Sequence, residues 1–297
     1  MPTDTAQSFA DILAGLADGS VVPYLGCHAL AGVINPANGQ AIPADSDSLI
    51  LAMNDGRPMA PKLMYEFPRA AMNIELKKGR SAVTKFLDRT YRDTTWTTSP
   101  LHTWLAEQHL PYVIDSNRDT LLQQAYADRA HTLIVGLSRI GGTDFRFKLY
   151  QHDGSGKIGK LGDGYKAIDQ ADVDVTLPVV FKPLGTPLPE SHYIASDADF
   201  VDYVTELMGG FGIPAFVKRM RPGKRYLLLG LPLNRDTERM VLSDIQFGAA
   251  RPAGWALMPT ANDKEKRFLT KLGIELITAS STDLLAAAQA EAVLEAA

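Results

Sequence analysis

The chain alternates short, wholly apolar runs with longer stretches whose apolar residues recur every three or four positions. Val21-Val22-Pro23-Tyr24-Leu25 is the first such run. Its length and continuity predict a strand buried on both faces. The run stops at Gly26, where a backbone can turn sharply or approach a ligand closely. Similar runs end in polar or glycine-containing turns: Pro111–Ile114 before Asp115–Asp119, Leu177–Lys182 before Pro183-Leu184-Gly185, and Arg225–Leu229 before Gly230. His131–Val135, Trp255–Met258 and Ile274–Ile277 complete the set.

Helical spacing fills the intervals. Ser8 is expected to cap a first helix, with Asp11 as its partner, Phe9, Ile12, Leu13 and Leu16 as its apolar face and Gly19 as its stop. Residues 35–61 are rich in Pro, Gly, Asn and Asp and predict a long loop, a lid or a plain surface excursion, with one helical turn near Leu49–Met53. Phe67–Leu76, Val83–Tyr91 and Leu101–His109 read as helices, with His102 and His109 expected on their surfaces. Further helices are expected over Thr120–Tyr126, Phe200–Met208, Thr237–Gln246 and Lys264–Leu272. The last, Asp283–Glu295, is expected to be capped by Ser281 or Thr282. Strands alternating with helices predict an α/β fold, a parallel sheet flanked by helices.

Residues 141–176 differ in character. Phe145–Tyr150 alternates like a half-exposed strand, and glycines at 154, 156, 159, 162 and 164 follow. Gly154-Ser155-Gly156-Lys157 does not satisfy the phosphate-loop pattern, because Ile158 stands where Ser or Thr is needed and no buried strand leads in. A hairpin in a small inserted module is expected instead. The organisation is thus one domain over 1–297, with a helical and loop insertion at 35–110 and a glycine-rich small module at 141–176.

Composition narrows the function classes. The chain has 297 residues, 45% hydrophobic and 22% charged, with a net charge of −4, as in ordinary globular proteins. No basic field for nucleic acid is present, and no apolar run is long enough for a membrane span. The segment Met1–Thr5 lacks the basic stretch and apolar block of a signal peptide. A single cysteine, Cys27, excludes an internal disulfide and a thiolate zinc cluster, and fits a reducing cytoplasm.

Candidate chemistry gathers at the strand ends. In an open α/β sheet, ligands bind outside the carboxyl ends of the strands near the point where strand order reverses. The turn after Val21–Leu25 is either a plain turn or a nest of amides suited to phosphate. Cys27 is either a small buried hydrophobe or a thiol activated near a helix start. His28 either fills volume or acts as a base or phosphate partner. Arg118 and Arg235, on loops after strands, are suited to phosphate, carboxylate or a surface ion pair.

Several segments, taken in order, resemble the sirtuin (SIR2) superfamily in its bacterial SIR2-like form. Val22–Leu30 resembles its opening Gly-Ala-Gly-x-Ser loop. Ser116–Leu122 resembles its Thr-x-Asn-x-Asp-x-Leu segment, and Phe181–Thr186 its Lys-Leu-His-Gly-Ser segment. Tyr193–Phe200 and Leu228–Asp236 resemble the segments that follow. The resemblance implies a Rossmann-like, NAD-binding fold with a small inserted module. It also implies a pocket for NAD or an ADP-ribose-type nucleotide formed by Gly26, Cys27, Asn117, Asp119, Gly185, Gly230 and Asn234. Asn117 would order the ribose and the attacking water, with His28 as a replacement base.

The departures fall where that chemistry lives. Leu184 stands in place of the family's general-base His, His28 in place of the second loop glycine, and Leu30 in place of the Ser. Asp115 replaces a neutral Thr and is expected to put negative charge near the ligand. Without four thiolates, no zinc module of the protein deacylases can form. These readings leave three alternatives: a degenerate nucleotide pocket that acts by binding or through an unidentified protein partner, an NAD-consuming hydrolase with a replacement base, and a structural or assembly factor that keeps only the fold. The oligomeric state stays open.

Overall fold

A computed structural model describes residues 3–295. In chain order the first half comprises α1 (Thr3–Ala17), β1 (Val21–Leu25), α2 (Ser46–Met53), α3 (Phe67–Lys78), α4 (Arg80–Tyr91), α5 (Pro100–Glu107), β2 (Tyr112–Asp115), α6 (Leu121–Ala125) and β3 (Ala130–Gly136). Next come β4 (Phe147–Asp153), β5 (Tyr165–Ile168), β6 (Val179–Lys182) and a two-stranded ribbon of β7 (Gly185–Thr186) with β8 (His192–Tyr193). The remainder is α7 (Asp197–Met208), α8 (Ala215–Met220), β9 (Arg225–Leu229), α9 (Asp236–Ile245), β10 (Gly254–Leu257), α10 (Asp263–Leu272), β11 (Ile274–Ile277) and α11 (Ser281–Glu295).

Nine strands form one sheet in the order β11-β10-β9-β1-β2-β6-β3-β4-β5. The seven from β11 to β3 run parallel; β4 and β5 extend the edge antiparallel. The fold is therefore α/β and Rossmann-like, with a large, mostly parallel sheet between helices. The glycine-rich segment 141–176 supplies β4 and β5. Phe147, Leu149 and Tyr150 are buried there, so β4 is more enclosed than its alternating sequence predicts.

Alternation along each strand divides the core. Val22, Tyr24, Ile114, Phe181, Tyr226 and Leu228 face one layer, filled by Phe200 and Tyr203 of α7, Phe216 of α8 and Val241 of α9. Val21, Leu25, Val113, Val180, Leu227 and Leu229 face the other, filled by Phe9 and Ile12 of α1, Leu101 and Leu105 of α5 and Leu284 of α11. Burial on both faces removes the polar alternation that a one-sided sheet would carry. A third cluster, with Leu49, Ile50, Phe67, Ala71, Phe86, Leu87 and Tyr91, holds α2, α3 and α4 together. These helices lie within residues 35–110.

Three local expectations need correction. The first helix already runs from Thr3, so Ser8 lies inside it rather than at its cap. The last helix is capped by Ser280: its Oγ accepts the Asp283 amide at 3.2 Å, and Asp283 Oδ2 accepts the Ser280 amide at 2.7 Å. His102 is buried, and neither ring nitrogen has a hydrogen-bond partner among the described residues; α5 is packed by both α6 and α11. No helix among the described residues is long and apolar enough to cross a membrane.

Candidate functional site

The carboxyl ends of β9, β1, β2 and β6 lie side by side in the sheet. Strand order reverses at β1, whose neighbours are β9 from late in the chain and β2 from early in it. A crevice opens beyond these four ends, covered by residues 44–49 at the start of α2 and 66–68 at the start of α3.

The floor is built from the turns after β1 and β9. Gly26 N–H donates to Leu229 O at 2.9 Å, His28 N–H to Gly230 O at 2.9 Å and Ala29 N–H to Gly26 O at 3.0 Å. Of the four successive amides from Gly26 to Ala29, that of Cys27 has no backbone acceptor among the described residues. A Cβ on Gly26 would stand 2.4 Å from Leu231 Cα, and one on Gly230 would stand 2.4 Å from Ala29 N. Both glycines thus serve the contact of one turn with the other, and most of the amides suited to phosphate are already bonded.

The turn after β2 is held from below. Asp115 Oδ1 accepts from Asn117 N at 3.0 Å and from Asn117 Nδ2 at 2.8 Å, while Nδ2 also donates to Gly26 O at 3.0 Å. Asp115 Oδ2 meets Lys182 Nζ at 2.5 Å. Lys182 thus offsets the charge that Asp115 was expected to bring near a ligand. Asn117 lines the inner end of the crevice with Tyr24, Ser116, Leu184 and Val241, around about 60 Å³. The main chamber, about 250 Å³, is lined by Cys27, His28, Asp45, Asp47, Glu66, Arg118, Arg235 and Glu238 among others. An outer groove of about 480 Å³ follows the ends of β10 and β11. It meets the main chamber at His28, Pro232 and Asn234.

Of the residues singled out in the sequence, Cys27, His28, Asn117 and Asn234 form walls of this crevice, and Gly230 lines the outer groove. Asp119 is enclosed: its Oδ1 accepts the Leu121 amide at 2.7 Å, and its Oδ2 has no partner among the described residues. Gly185 has φ +88°, and a Cβ there would stand 2.0 Å from His192 O, so it permits the β7–β8 pairing. His28 is exposed at the junction of the two chambers. An activated Cys27 is overturned: burial pushes the thiol well up, and Glu238 and Asp45 push it further.

The chamber also holds groups that sequence reading passed over. Glu238, in the first turn of α9, has its Oε2 shut from solvent with no hydrogen-bond partner among the described residues. Burial, helped by nearby Glu66, pushes its carboxyl up to about 8, against the pull of Arg235 and Arg118. Glu66 Oε1 accepts from Thr237 Oγ1, and Arg235 lies over the Tyr65 ring at 4.5 Å. An acidic residue starting a helix after a buried strand was the available signal, but that position is usually just a favourable place for negative charge. Among the described residues, no group of three or more His, Cys, Asp and Glu side chains is placed to hold a metal ion.

Neither a protein-family model nor a curated protein matches this chain.

Proposed function

We propose that this chain binds an NAD- or ADP-ribose-type nucleotide in the crevice, has lost the acid–base chemistry of the sirtuin superfamily that it resembles, and acts through that binding or through a protein partner. The observation that carries the reading is the two-chambered crevice at the reversal of strand order, the place where open α/β sheets take nucleotides. The outer groove would hold the adenosine end. Cys27, His28 and Asn234 border the junction where a pyrophosphate would lie, and Asn117, Arg118 and Leu184 border the inner end. The nucleotide would bring an N-glycosidic bond to a stable leaving group. Leu184, at the inner wall, can neither accept nor give a proton there.

One observation favours a second reading, an NAD-consuming hydrolase. Glu238 brings into the chamber a carboxyl able to hold a proton at neutral pH. It is better enclosed for that role than His28.

Thermal unfolding with ADP-ribose tests the proposal. A ligand at a hundred times its Kd adds about 2.7 kcal/mol of stability, and Ala44→Trp, which fills both chamber and inner end, should abolish the shift. Absence of any shift with ADP-ribose, NAD or NADH removes the binding reading and leaves a scaffold. Nicotinamide release from NAD that Asn117→Ala abolishes would establish the hydrolase instead.

A further inference from the structure

A buried guanidinium without a counter-charge stands in this crevice. Arg118 is 8% exposed. Its Nε and Nη2 both donate to Ile194 O, at 3.0 and 2.6 Å, and its guanidinium lies 5.4 Å over the Phe67 ring. Its remaining nitrogen, Nη1, has no protein acceptor among the described residues. Arg118 lines both the chamber and the inner end, and it forms no ion pair among the described residues.

The acidic groups around it do not supply the missing charge. Asp199 is paired with Arg80 at 3.0 Å and with Arg139 at 2.8 Å. Glu238 is kept neutral by burial and by Glu66. Tyr91 donates to Pro43 O and Tyr193 to Asp88, and burial keeps both phenols protonated. A cation desolvated in this way is costly unless an anion meets it.

The geometry points to a ligand that places a carboxylate against Arg118, with the Glu238 carboxyl as neighbouring donor. A carboxylate fits better than a phosphate. Asp45, Asp47 and Glu66 also line the chamber and would repel a dianion more than a monoanion. A planar carboxylate also suits the fork of a guanidinium. On the nucleotide reading above, on which this inference rests, the inner group is then the acid form of the pyridine ring rather than its amide.

The test is calorimetric titration of the full chain with nicotinic acid adenine dinucleotide, NAD, ADP-ribose and inorganic phosphate. The acid dinucleotide should bind about tenfold more tightly than NAD, the effect of one charge-assisted contact. Arg118→Gln should erase the difference. Should that variant fail to fold, Arg118→Lys serves, with a reduced preference expected. Equal or tighter binding of NAD by the unaltered chain overturns the carboxylate assignment, and so does a preference that persists in Arg118→Gln. Competition by millimolar phosphate against the acid dinucleotide but not against ADP-ribose would assign the site to phosphate and overturn it too. In each of these cases ADP-ribose binding keeps the nucleotide reading; loss of all binding ends both.

Discussion

Lys182 Nζ lies 2.5 Å from Asp115 Oδ2, and both side chains are wholly buried beneath the crevice. The pairing follows from register: Ile114 lies opposite Phe181 where β2 and β6 run parallel, so the next residues of the two strands meet. Asp115 in turn holds Asn117 through two hydrogen bonds. The ion pair therefore anchors the turn that carries Asn117 and Arg118.

Removing one partner leaves the other charged and dry. Lys182→Met should cost about 3–5 kcal/mol, read as a fall in the denaturant midpoint at constant slope. The double variant Lys182→Met/Asp115→Asn should recover a large part of that loss. Equal losses in the single and double variants would show that the pair is not what holds the turn.

Glu238 makes stability depend on pH. Its folded carboxyl titrates near 8, above its ordinary value of 4.5. Between those values the folded chain keeps a proton that the unfolded chain has released. The contribution is complete below about 4.5 and is lost as pH rises toward 8, at roughly 1.4 kcal/mol per unit of difference. Melting temperature should fall from pH 6.5 to 8.5, and Glu238→Gln should flatten that fall. An unchanged slope in the variant would remove Glu238 as its source.

His131 acts in the opposite direction. It stacks on His152 at 4.8 Å and meets Tyr165 edge-on. Burial lowers its pKa from 6.5 to about 4. Between those values the unfolded chain binds a proton that the folded one excludes. The stability is complete above 6.5 and is lost as pH falls toward 4, on the order of 3 kcal/mol in all. Acid unfolding followed by circular dichroism should therefore start at higher pH in the native chain than in His131→Gln at matched starting stability.

Leu184 offers a gain-of-function test. It lines both the chamber and the inner end, with Asn117 in the inner wall. Leu184→His should produce nicotinamide release from NAD above the level of the native chain, measured by chromatography. Release by the native chain at the same rate would mean that another group, with Glu238 first in line, already serves as base.

The local elements were readable because their causes are local. The apolar run Val21–Leu25 is β1 and Arg225–Leu229 is β9, with those same bounds, since a strand buried on both faces has nothing but apolar positions to show. The expected helix Lys264–Leu272 lies within α10, which starts one residue earlier at Asp263 after an Asn262 cap that the sequence reading does not name. Ser8 misled because a good capping residue also sits inside a helix when the preceding residues continue the coil. His102 misled because α5 is packed by both α6 and α11, which no helical periodicity within α5 reveals.

What the sequence determined by itself was the alternation of strands and helices, and so the α/β class and the strand ends where a ligand would lie. Tertiary structure alone decided the chemistry at those ends. Strand order placed Lys182 beside Asp115, the start of α3 brought Phe67 against Arg118 and Glu66 near Glu238, and their shared burial pushes the Glu238 carboxyl up and leaves Arg118 without an ion pair among the described residues. Backbone propensity and side-chain periodicity act over a few residues. Desolvation and charge act through space, between groups far apart in the chain: 67 positions separate Asp115 from Lys182 and 171 separate Glu66 from Thr237.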